Sequence, residues 1–519
     1  MVWSRIKTNR REQMDKTERN QLILAVWVLM PFMGWFMAVK KTETLTSPKI
    51  KALWQIASHT HEKPILLLGI AGGILMAALV TWLLVVMLSS PFTGQRFKRF
   101  LRGTKIVTVE KLKALTRERK TQQVTVGDIP VPTAVEPTHF LVAGSTGVGK
   151  SVVIRGLAYS GILRGDRFVF CDPNGDLVSK FYRQGDRILN PYDTRTEGWT
   201  FYNEIRNDYD YKRYALSLVP RGKSAEEEEW CSYGRLLLAE CAKKLAMNGN
   251  PSIRDLFHWC TIEEPENLKL FLSGTSAESL FVGAEKALAS ARFVLADKLP
   301  EHLEMPTGNF SIRRFLEDDQ SGNLFLTWRE DMAEALRPLI SAWVDVVCTS
   351  VLSLPESKSR RIWLSLDELA SLEKLASLQD ALTKGRKHGL RAIAGLQTVS
   401  QLDDLYGNKE AQTLRACFRS LVVLGGANSD PETAEEMSKA IGDHEVVREE
   451  KSRSAKGANR RDRTDRERVV MPSEIVSMPD MTAIVAFAGD RPIAKTKLAF
   501  QQFKQQVPAF MERNAAFGG

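Results

Sequence analysis

The chain has 519 residues, with 44% apolar and 26% charged side chains, a composition that is typical of a folded protein with two or three domains. Its net charge of +10 fits an anionic partner, either nucleic acid or acidic lipid, without deciding between them. The six cysteines include no C-x-x-C pair, which argues against a zinc ribbon and predicts reduced thiols in a cytoplasmic body.

The first predicted elements are two membrane spans, residues 22–39 and 65–88. Neither contains a charged side chain, and about 20 apolar residues suffice to cross a bilayer. For the first span, a signal peptide is the alternative, but no small-residue cleavage site follows it. Gly69 and Gly73 form a G-x-x-x-G pattern, which either packs against another helix or has no role.

Basic residues flank this helical hairpin on both outer sides. Six lysines and arginines precede the first span, and four lie within residues 96–102 after the second span. The positive-inside rule therefore predicts that segment 1–21 and the chain after residue 88 are cytoplasmic and that residues 40–64 form a periplasmic loop. That loop also contains lysines, so the charge bias is not one-sided.

The sequence "FLVAGSTGVGKS" predicts a nucleotide site. A short apolar strand (140–143) precedes the pattern G-x-x-x-x-G-K-S, and an amphipathic helix follows it, which is the context of a phosphate-binding P-loop. Lys150 would reach the β- and γ-phosphates of ATP, and Ser151 would bind Mg²⁺. The alternative is a glycine-rich loop without a ligand. The predicted nucleotide-binding residues are Gly144, Ser145, Thr146, Gly147, Val148, Gly149, Lys150 and Ser151.

Further apolar strands alternate with helical stretches, which is typical of a mostly parallel sheet. Asp172 begins "DPNGD" after the first of these strands, and we expect it to shape the turn rather than contact the nucleotide. The predicted strands are 167–171, 323–328, 362–366, 391–396, 421–424 and 483–488.

Between residues 190 and about 309 the strand signal stops. Ser224 and Glu227 form a capping box, so the acidic run 226–229 indicates the first turn of a helix rather than an acidic binding site. Ser252 with Asp255 repeats this pattern, and a further helix is predicted over residues 276–295. The pattern therefore predicts an all-helical insertion into the sheet domain.

Asp367 and Glu368 follow the predicted strand 362–366 directly, in "LDELASL". Open α/β sheets bind their ligands at the carboxyl ends of the strands. Asp367 would hold Mg²⁺ through water, and Glu368 would polarise the attacking water. The alternative is an acidic pair that complements a helix dipole, but the P-loop upstream favours the catalytic role.

Two later segments give weaker signals. Residues 446–468 carry both charge signs and almost no apolar side chains, which favours a solvated or flexible loop, with a DNA- or partner-facing loop as the alternative. The tail after residue 502 looks loose.

In this order, the motifs resemble those of the TraG/TraD/TrwB family of type IV coupling proteins. The specific stretches are "GRKHGLRAIAGLQTVSQL", "NSDPETAEEMSKAIGD" and "MPSEIVSMPDMTAIV", together with the P-loop and the acidic pair. The resemblance implies an α/β fold with a RecA-like P-loop NTPase domain (89–192 and 310–500), an inserted all-α domain (193–309), an N-terminal transmembrane hairpin and a loose tail (501–519).

The resemblance also implies a function. Members of this family are hexameric ATPases of the bacterial inner membrane that recruit a relaxase–DNA complex to a type IV secretion channel and drive single-stranded DNA transfer in conjugation. The family places an arginine finger at Arg386 and a sensing glutamine at Gln397. Gly385 and Gly389 would then let a turn expose Arg386 to a neighbouring subunit. The other basic residues beside Arg386 are expected to be exposed to solvent and to bind no ligand.

Two other functions stay open. One is a docking ATPase that presents substrates to the secretion channel without moving DNA, although the acidic pair argues against a switch that never hydrolyses ATP. The other is an FtsK-like translocase of double-stranded DNA, a group that usually has more spans and a winged-helix end, neither of which this sequence shows.

Overall fold

A computed structural model gives the fold and describes residues 16–42, 54, 56–88, 97, 99–249, 251–282, 285–319, 322–454 and 457–513. The chain divides into two compact units, Met1–Gln95 and Arg96–Gly519, and each is described by itself. The predictions for residues 1–15, for most of the connector 43–55 and for residues 514–519 lie outside the described residues.

The first unit contains two helices, α1 (Lys16–Thr42) and α2 (Pro64–Leu88). They pack closely through glycines, because a Cβ atom on Gly69 would lie 2.6 Å from the carbonyl oxygen of Gly34, and one on Gly73 would meet the backbone of Met30. The G-x-x-x-G pattern of α2 is therefore a helix-packing face.

Three of the described helices are long and apolar enough to cross a membrane: Ile23–Thr42, Pro64–Trp82 and Glu330–Ser353. In the first two only 6% and 17% of the residues are buried, whereas in the third 83% are buried within the second unit. The third is thus a core helix, and the two N-terminal helices are the ones available to lipid.

The second unit is built on a mostly parallel sheet, as the sequence predicts. The strands of this unit are β1 (Arg99–Gly103), β2 (Thr125–Val126), β3 (Ile129–Pro130), β4 (Phe140–Ala143), β5 (Arg167–Pro173), β6 (Arg187–Leu189), β7 (Leu324–Trp328), β8 (Ile362–Leu366), β9 (Leu390–Leu396), β10 (Ser420–Val423), β11 (Asp443–Ser454), β12 (Gly457–Arg468), β13 (Thr482–Ala486) and β14 (Ala494–Lys497). Within the described residues the main sheet has nine strands in the order β14-β13-β10-β4-β9-β8-β5-β7-β6, and the seven from β10 to β6 run parallel.

The helices of the second unit are α3 (Val109–Thr116), α4 (Lys150–Arg164), α5 (Asp176–Phe181), α6 (Asp208–Leu218), α7 (Ala225–Met247), α8 (Ile253–Phe257), α9 (Pro265–Phe271), α10 (Glu285–Lys298), α11 (Pro300–Leu303), α12 (Ile312–Glu317), α13 (Ala333–Ser353), α14 (Leu378–Lys384), α15 (Val399–Tyr406), α16 (Asn408–Cys417), α17 (Pro431–Ile441) and α18 (Pro472–Val476). The helices from α6 to α11 lie between the edge strand β6 and strand β7 in the sequence, in the region of the predicted helical insertion.

The predicted serine caps of the helical insertion are confirmed, but the capping box at Ser224 is incomplete, because the carboxylate of Glu227 accepts the N–H of Lys223 rather than that of Ser224. The hydroxyl of Ser224 accepts the N–H of Glu227 at 3.1 Å, and Ser252 caps α8 in the same way. The prediction of one helix over residues 276–295 is wrong, because a 3₁₀ helix (Ser276–Phe281) precedes α10. Gly283 lies in the middle of that sequence, and glycine is a poor helix former.

The prediction of a solvated loop over residues 446–468 is also wrong. β11 and β12 form a long antiparallel hairpin, and β11 pairs with β1. Composition misleads here because opposite charges meet across the strands: Arg448 pairs with Glu467, and Arg102 pairs with Glu445. The ladder supplies the backbone hydrogen bonds that a loop would leave to water.

The C-terminal segment 503–513 is not loose, contrary to the sequence-based expectation. The ring of Phe503 lies 5.0 Å from that of Tyr159 and 5.1 Å from that of Phe181, between centroids. The N–H of Gln506 donates to Ser179 O at 2.7 Å. A few apolar side chains in a polar tail therefore suffice to dock it on the sheet domain.

Candidate nucleotide site

The P-loop joins β4 to α4, and its shape depends on two glycines. Gly147 and Gly149 have φ angles of +82° and +116°, in the left-handed region that favours glycine. The ammonium group of Lys150 donates to Gly144 O at 2.9 Å and to Ser145 O at 3.1 Å. The lysine thus lies folded over the loop, where phosphate oxygens can replace the two carbonyl oxygens.

Two other P-loop residues attach the loop to neighbouring strands. The hydroxyl of Ser145 donates to Gly425 O at 3.2 Å, just after β10, and Val148 O accepts the N–H of Met481 at 2.9 Å, just before β13. The N-terminus of α4 follows directly, so its free N–H groups and positive dipole end face the same space.

Ser151 and Asp367 meet at this edge of the sheet. The hydroxyl of Ser151 lies 3.5 Å and 3.4 Å from the two carboxylate oxygens of Asp367. They meet because β4, β9 and β8 are adjacent and parallel, so their carboxyl ends share one edge. A hydroxyl and a carboxylate at this spacing are the hard oxygen ligands that Mg²⁺ prefers beside nucleotide phosphates, and the donor set therefore fits this ion.

Glu368 is a buried acid of the site with little hydrogen bonding. Both of its carboxylate oxygens are buried and make no hydrogen bond of ordinary geometry with the described residues. Burial raises the pKa of Glu368 to about 7, although the positive charge of Lys150 opposes this shift. A buried carboxylate with so little hydrogen bonding is rare in folded proteins, so Glu368 is a candidate for contact with a ligand.

Burial also acts on the other charged groups here. It lowers the pKa of Lys150, opposed by the carboxylates of Glu368 and Asp367, and it raises the pKa of Asp367, opposed by Lys150. The positive charge of Lys150 thus offsets part of the negative charge of the two acids at the mouth of the P-loop.

Gln397 follows β9 and lies beside the P-loop. Its side-chain oxygen accepts a hydrogen bond from the hydroxyl of Thr146 at 3.3 Å. Gly395 allows this close approach of β9 to the end of β8, because a Cβ atom there would collide with Asp367 O. The structure therefore brings Gln397, Thr146 and Asp367 together.

Arg386 lies elsewhere. It belongs to a 3₁₀ turn (Gly385–His388) that precedes β9, so it is at the amino edge of the sheet, opposite the P-loop. Its side chain is exposed and makes no hydrogen bond or ion pair within the part of the chain that the structure describes. Gly389, with φ +97°, closes the turn. The neighbouring Lys387 pairs with Glu356 at 2.6 Å.

Sequence reasoning missed Arg155, which lies one helical turn after Ser151. Its Nε donates to Ser151 O at 3.0 Å, and its Nη1 donates to Asp176 at 3.3 Å, which ties α4 to the "DPNGD" turn. The i, i+4 spacing from Ser151 was the available signal.

Asp172 shapes the "DPNGD" turn, as the sequence predicts. Its carboxylate accepts the N–H groups of Leu177 and Val178 at 2.9 Å and 2.7 Å, and burial raises its pKa to about 7. This acid caps the start of α5 and uses both of its oxygens there.

Comparison with protein families gives a match over most of the chain. A family model described as "Type IV secretion-system coupling protein DNA-binding domain" matches residues 123–499. The coupling protein TraD of Escherichia coli (strain K12) is 31% identical over 423 residues, which cover 77% of this chain and 58% of TraD. The conjugal transfer protein TraG of Agrobacterium fabrum (strain C58 / ATCC 33970) is 31% identical over 140 residues, 26% of this chain and 21% of TraG. The chain thus spans less than two thirds of the length of these relatives.

Solved structures resemble the chain more closely. The unbound monoclinic form of the bacterial conjugative coupling protein TrwBdeltaN70 is 66% identical with a TM-score of 0.79, and the match covers 81% of this chain and 99% of that one. TrwB in complex with ADP and Mg²⁺ is 65% identical with a TM-score of 0.77, over 81% and 100% of the two chains. TrwB in complex with the ATP analogue ADPNP gives the same identity and TM-score over 81% and 99%. These likenesses confirm the RecA-like fold with an all-α domain.

Proposed function

Since the chain belongs to the family of type IV secretion-system coupling proteins, we propose that it is a membrane-anchored ATPase of bacterial conjugation. It recruits a relaxase–DNA complex to a type IV secretion channel and uses ATP hydrolysis to drive single-stranded DNA through that channel. The helices α1 and α2 anchor it in the inner membrane, with both termini in the cytoplasm and residues 40–64 in the periplasm.

The meeting of the P-loop with the acidic pair at one sheet edge carries this proposal. Residues 144–151 surround the phosphates of ATP with backbone N–H groups, and Lys150 neutralises the β- and γ-phosphates. Ser151 and Asp367, 3.4 Å apart, hold Mg²⁺. The ion supplies positive charge to the phosphate oxygens. The complexes of TrwB with ADP and Mg²⁺ and with an ATP analogue support these two ligands for a chain 65% identical to it.

Glu368 and Gln397 complete the part of the site that one subunit provides. The carboxylate of Glu368, which makes no hydrogen bond of ordinary geometry with the described residues, orients the attacking water and accepts its proton. Gln397 exchanges its bond to Thr146 for a contact with the γ-phosphate. Because Gln397 follows β9 directly, a change of its hydrogen bond with the state of the nucleotide can shift the position of β9.

Arg386 completes the site of a neighbouring subunit. β9 has seven residues, which separate its two ends by about 20 Å, so Arg386 cannot reach the P-loop of its own chain. An exposed arginine that makes no side-chain hydrogen bond or ion pair with the described residues suits a ring in which each subunit contributes a finger to the next. We therefore propose a homo-hexamer with its nucleotide sites at the subunit interfaces.

The proposed nucleic-acid partner is single-stranded DNA, held mainly through its phosphates. The net charge of +10 and the DNA-binding description of the matching family support this partner. Contacts of lysine and arginine with phosphates give salt-dependent binding without base reading, as a motor that moves along any sequence requires.

The test is ATP turnover by the full-length protein in lipid vesicles, measured against protein concentration with no DNA, single-stranded DNA or duplex DNA. We expect single-stranded DNA to stimulate turnover and the rate per subunit to rise with concentration as rings assemble. Hydrolysis that DNA does not change would favour the docking ATPase, and stimulation by duplex DNA alone would favour an FtsK-like translocase. No hydrolysis under any condition overturns the proposal, and Lys150→Ala gives the background rate.

A further inference from the structure

His139 has an unusual backbone for a residue that sequence reasoning passed over. Its φ and ψ angles are 57° and 156°, in a region that is essentially restricted to glycine. Its side chain is completely buried. A strained, buried residue persists only where contacts with its surroundings compensate for the strain, and for His139 these include the hydrogen bonds of its ring.

Both ring nitrogens of His139 are engaged. The N–H of Ala392, on β9, donates to Nδ1 at 3.0 Å, so the proton of the neutral ring is on Nε2. That Nε2–H donates to Leu382 O at 2.8 Å. Burial lowers the pKa of His139 to about 4, and the nearby positive charge of Arg386 contributes to this shift. The ring is therefore neutral, in one tautomer, at physiological pH.

These two bonds connect the P-loop strand to the turn that carries Arg386. His139 directly precedes β4, and the P-loop begins at the other end of that strand, four residues or about 13 Å away. Leu382 is in the last turn of α14, whose final carbonyls lack partners within the helix, and Gly385 begins the turn of Arg386 three residues later. His139 satisfies one of those carbonyls from a different element.

We propose that His139 is a positioning residue that holds the Arg386 turn against the P-loop strand of its own subunit, so that nucleotide binding in one subunit adjusts the arginine offered to the next. This inference rests on the proposed function, because it requires Arg386 to act on a neighbouring site. The path has three short steps: β4 moves with the P-loop, the imidazole moves with β4, and the end of α14 follows the imidazole.

Two substitutions of His139 test its two hydrogen bonds one at a time. The amide of His139→Asn reaches the position of Nδ1 and keeps an acceptor for Ala392 N–H, but it does not reach Leu382. The longer His139→Gln places its amide nitrogen near Nε2 and keeps the bond to Leu382. We expect His139→Asn to lower the kcat of DNA-stimulated ATP hydrolysis by about tenfold or more with the KM for ATP nearly unchanged, and His139→Gln to restore most of that rate.

A double-mutant cycle with Arg386→Ala distinguishes positioning from a general loss of structure. If His139 acts through Arg386, His139→Asn has almost no further effect on kcat once Arg386 is alanine. The same loss of rate in both backgrounds overturns the inference. Phe418→Leu is the matched control, because it changes the ring packed edge-on against His139 without removing either hydrogen bond, so its kcat should be normal.

The outcomes also separate this inference from the proposed function. If Arg386→Ala hydrolyses ATP at the normal rate, Arg386 is not an arginine finger and the proposed function is wrong on this point. If Arg386→Ala is slow but His139→Asn hydrolyses ATP at the normal rate, only the proposed role of His139 is wrong. The unsubstituted protein provides a second test that does not depend on how the variants fold. Hydrogen exchange at residues 385–389 should change when an ATP analogue binds, and exchange that nucleotide leaves unaltered there overturns the proposal.

Discussion

Arg386 and Gln397 lie at opposite ends of the same buried strand. β9 begins four residues after Arg386 and ends just before Gln397, which contacts the P-loop residue Thr146. The strand is parallel to β4, so one end reaches the nucleotide edge of the sheet and the other end reaches the opposite edge. One subunit therefore holds the glutamine for its own site and presents an arginine that its own site cannot use.

This separation predicts complementation between two inactive variants. Lys150→Ala removes the phosphate ligand, and Arg386→Ala removes the finger, so each protein alone should hydrolyse ATP at a small fraction of the normal rate. In mixed rings, a Lys150→Ala subunit can offer its arginine to an Arg386→Ala neighbour. A one-to-one mixture should regain up to about a quarter of the normal rate, the share of interfaces with that order. Recovery is measured as steady-state ATPase, and a mixture no faster than its components would contradict a finger that acts between subunits.

Lys150→Ala should also abolish DNA transfer between cells while leaving membrane insertion intact. Among the described residues, the ammonium group donates to two carbonyl oxygens of the P-loop itself, so its loss should leave the fold undisturbed. Membrane fractionation and mating assays measure the two properties. Lys409→Ala, an exposed lysine on α16, is the control and should transfer DNA normally. Transfer at the normal frequency by Lys150→Ala would show that the P-loop is not the energy source.

Glu368→Gln should separate ATP binding from hydrolysis. The amide keeps the shape of the side chain but cannot accept a proton from water, so kcat should fall by about 10²- to 10⁴-fold while ATP still binds. Single-turnover hydrolysis and equilibrium nucleotide binding measure the two steps. Glu432→Gln, an exposed glutamate in the first turn of α17, is the control. A Glu368→Gln protein that hydrolyses ATP at the normal rate would exclude this carboxylate as the base.

Phe503→Ala should destabilise the sheet domain, because the ring packs between Tyr159 and Phe181. We expect a loss of about 1–2 kcal/mol in the free energy of unfolding, less than for a fully buried phenylalanine, since this side chain is only partly covered. Urea denaturation measures the change. Phe500→Ala, three residues before this segment, removes a ring that is 67% exposed and should have little effect. Equal effects of the two substitutions would contradict the docking of the C-terminal segment.

His302 should contribute a loss of stability to the folded protein in mild acid. This side chain is buried, its Nε2 lies 2.6 Å from the hydroxyl of Tyr214, and burial lowers its pKa to about 3. The unfolded chain binds a proton near the ordinary histidine pKa of about 6.5, and the folded chain does not, so stability is lost as pH falls below that value. His302→Gln should remove about 1 kcal/mol of the loss between pH 6.5 and 5.5. Urea denaturation at each pH gives the slopes, and identical slopes would contradict a neutral His302.

The correct predictions concern motifs and elements whose residues are close together in the sequence. The P-loop, the acidic pair after β8, the serine caps of α7 and α8 and the apolar strands each depend on residues a few positions apart. The errors concern segments whose partners are distant in sequence. The charges of β11 and β12 look like those of a solvated loop until they pair across the strands, and Phe503 finds its pocket more than 300 residues away.

The sequence by itself determined the kind of site, because the spacing of glycines, Lys150 and Ser151 is itself the phosphate cradle and needs only a strand before it and a helix after it. Only the tertiary structure decided where the other groups stand. The order of the strands brings Asp367 to Ser151 and Gln397 to Thr146, and it places Arg386 at the far edge. Strand order follows from the packing of the whole core, which no local pattern encodes, and for that reason the role of His139 emerged only from the fold.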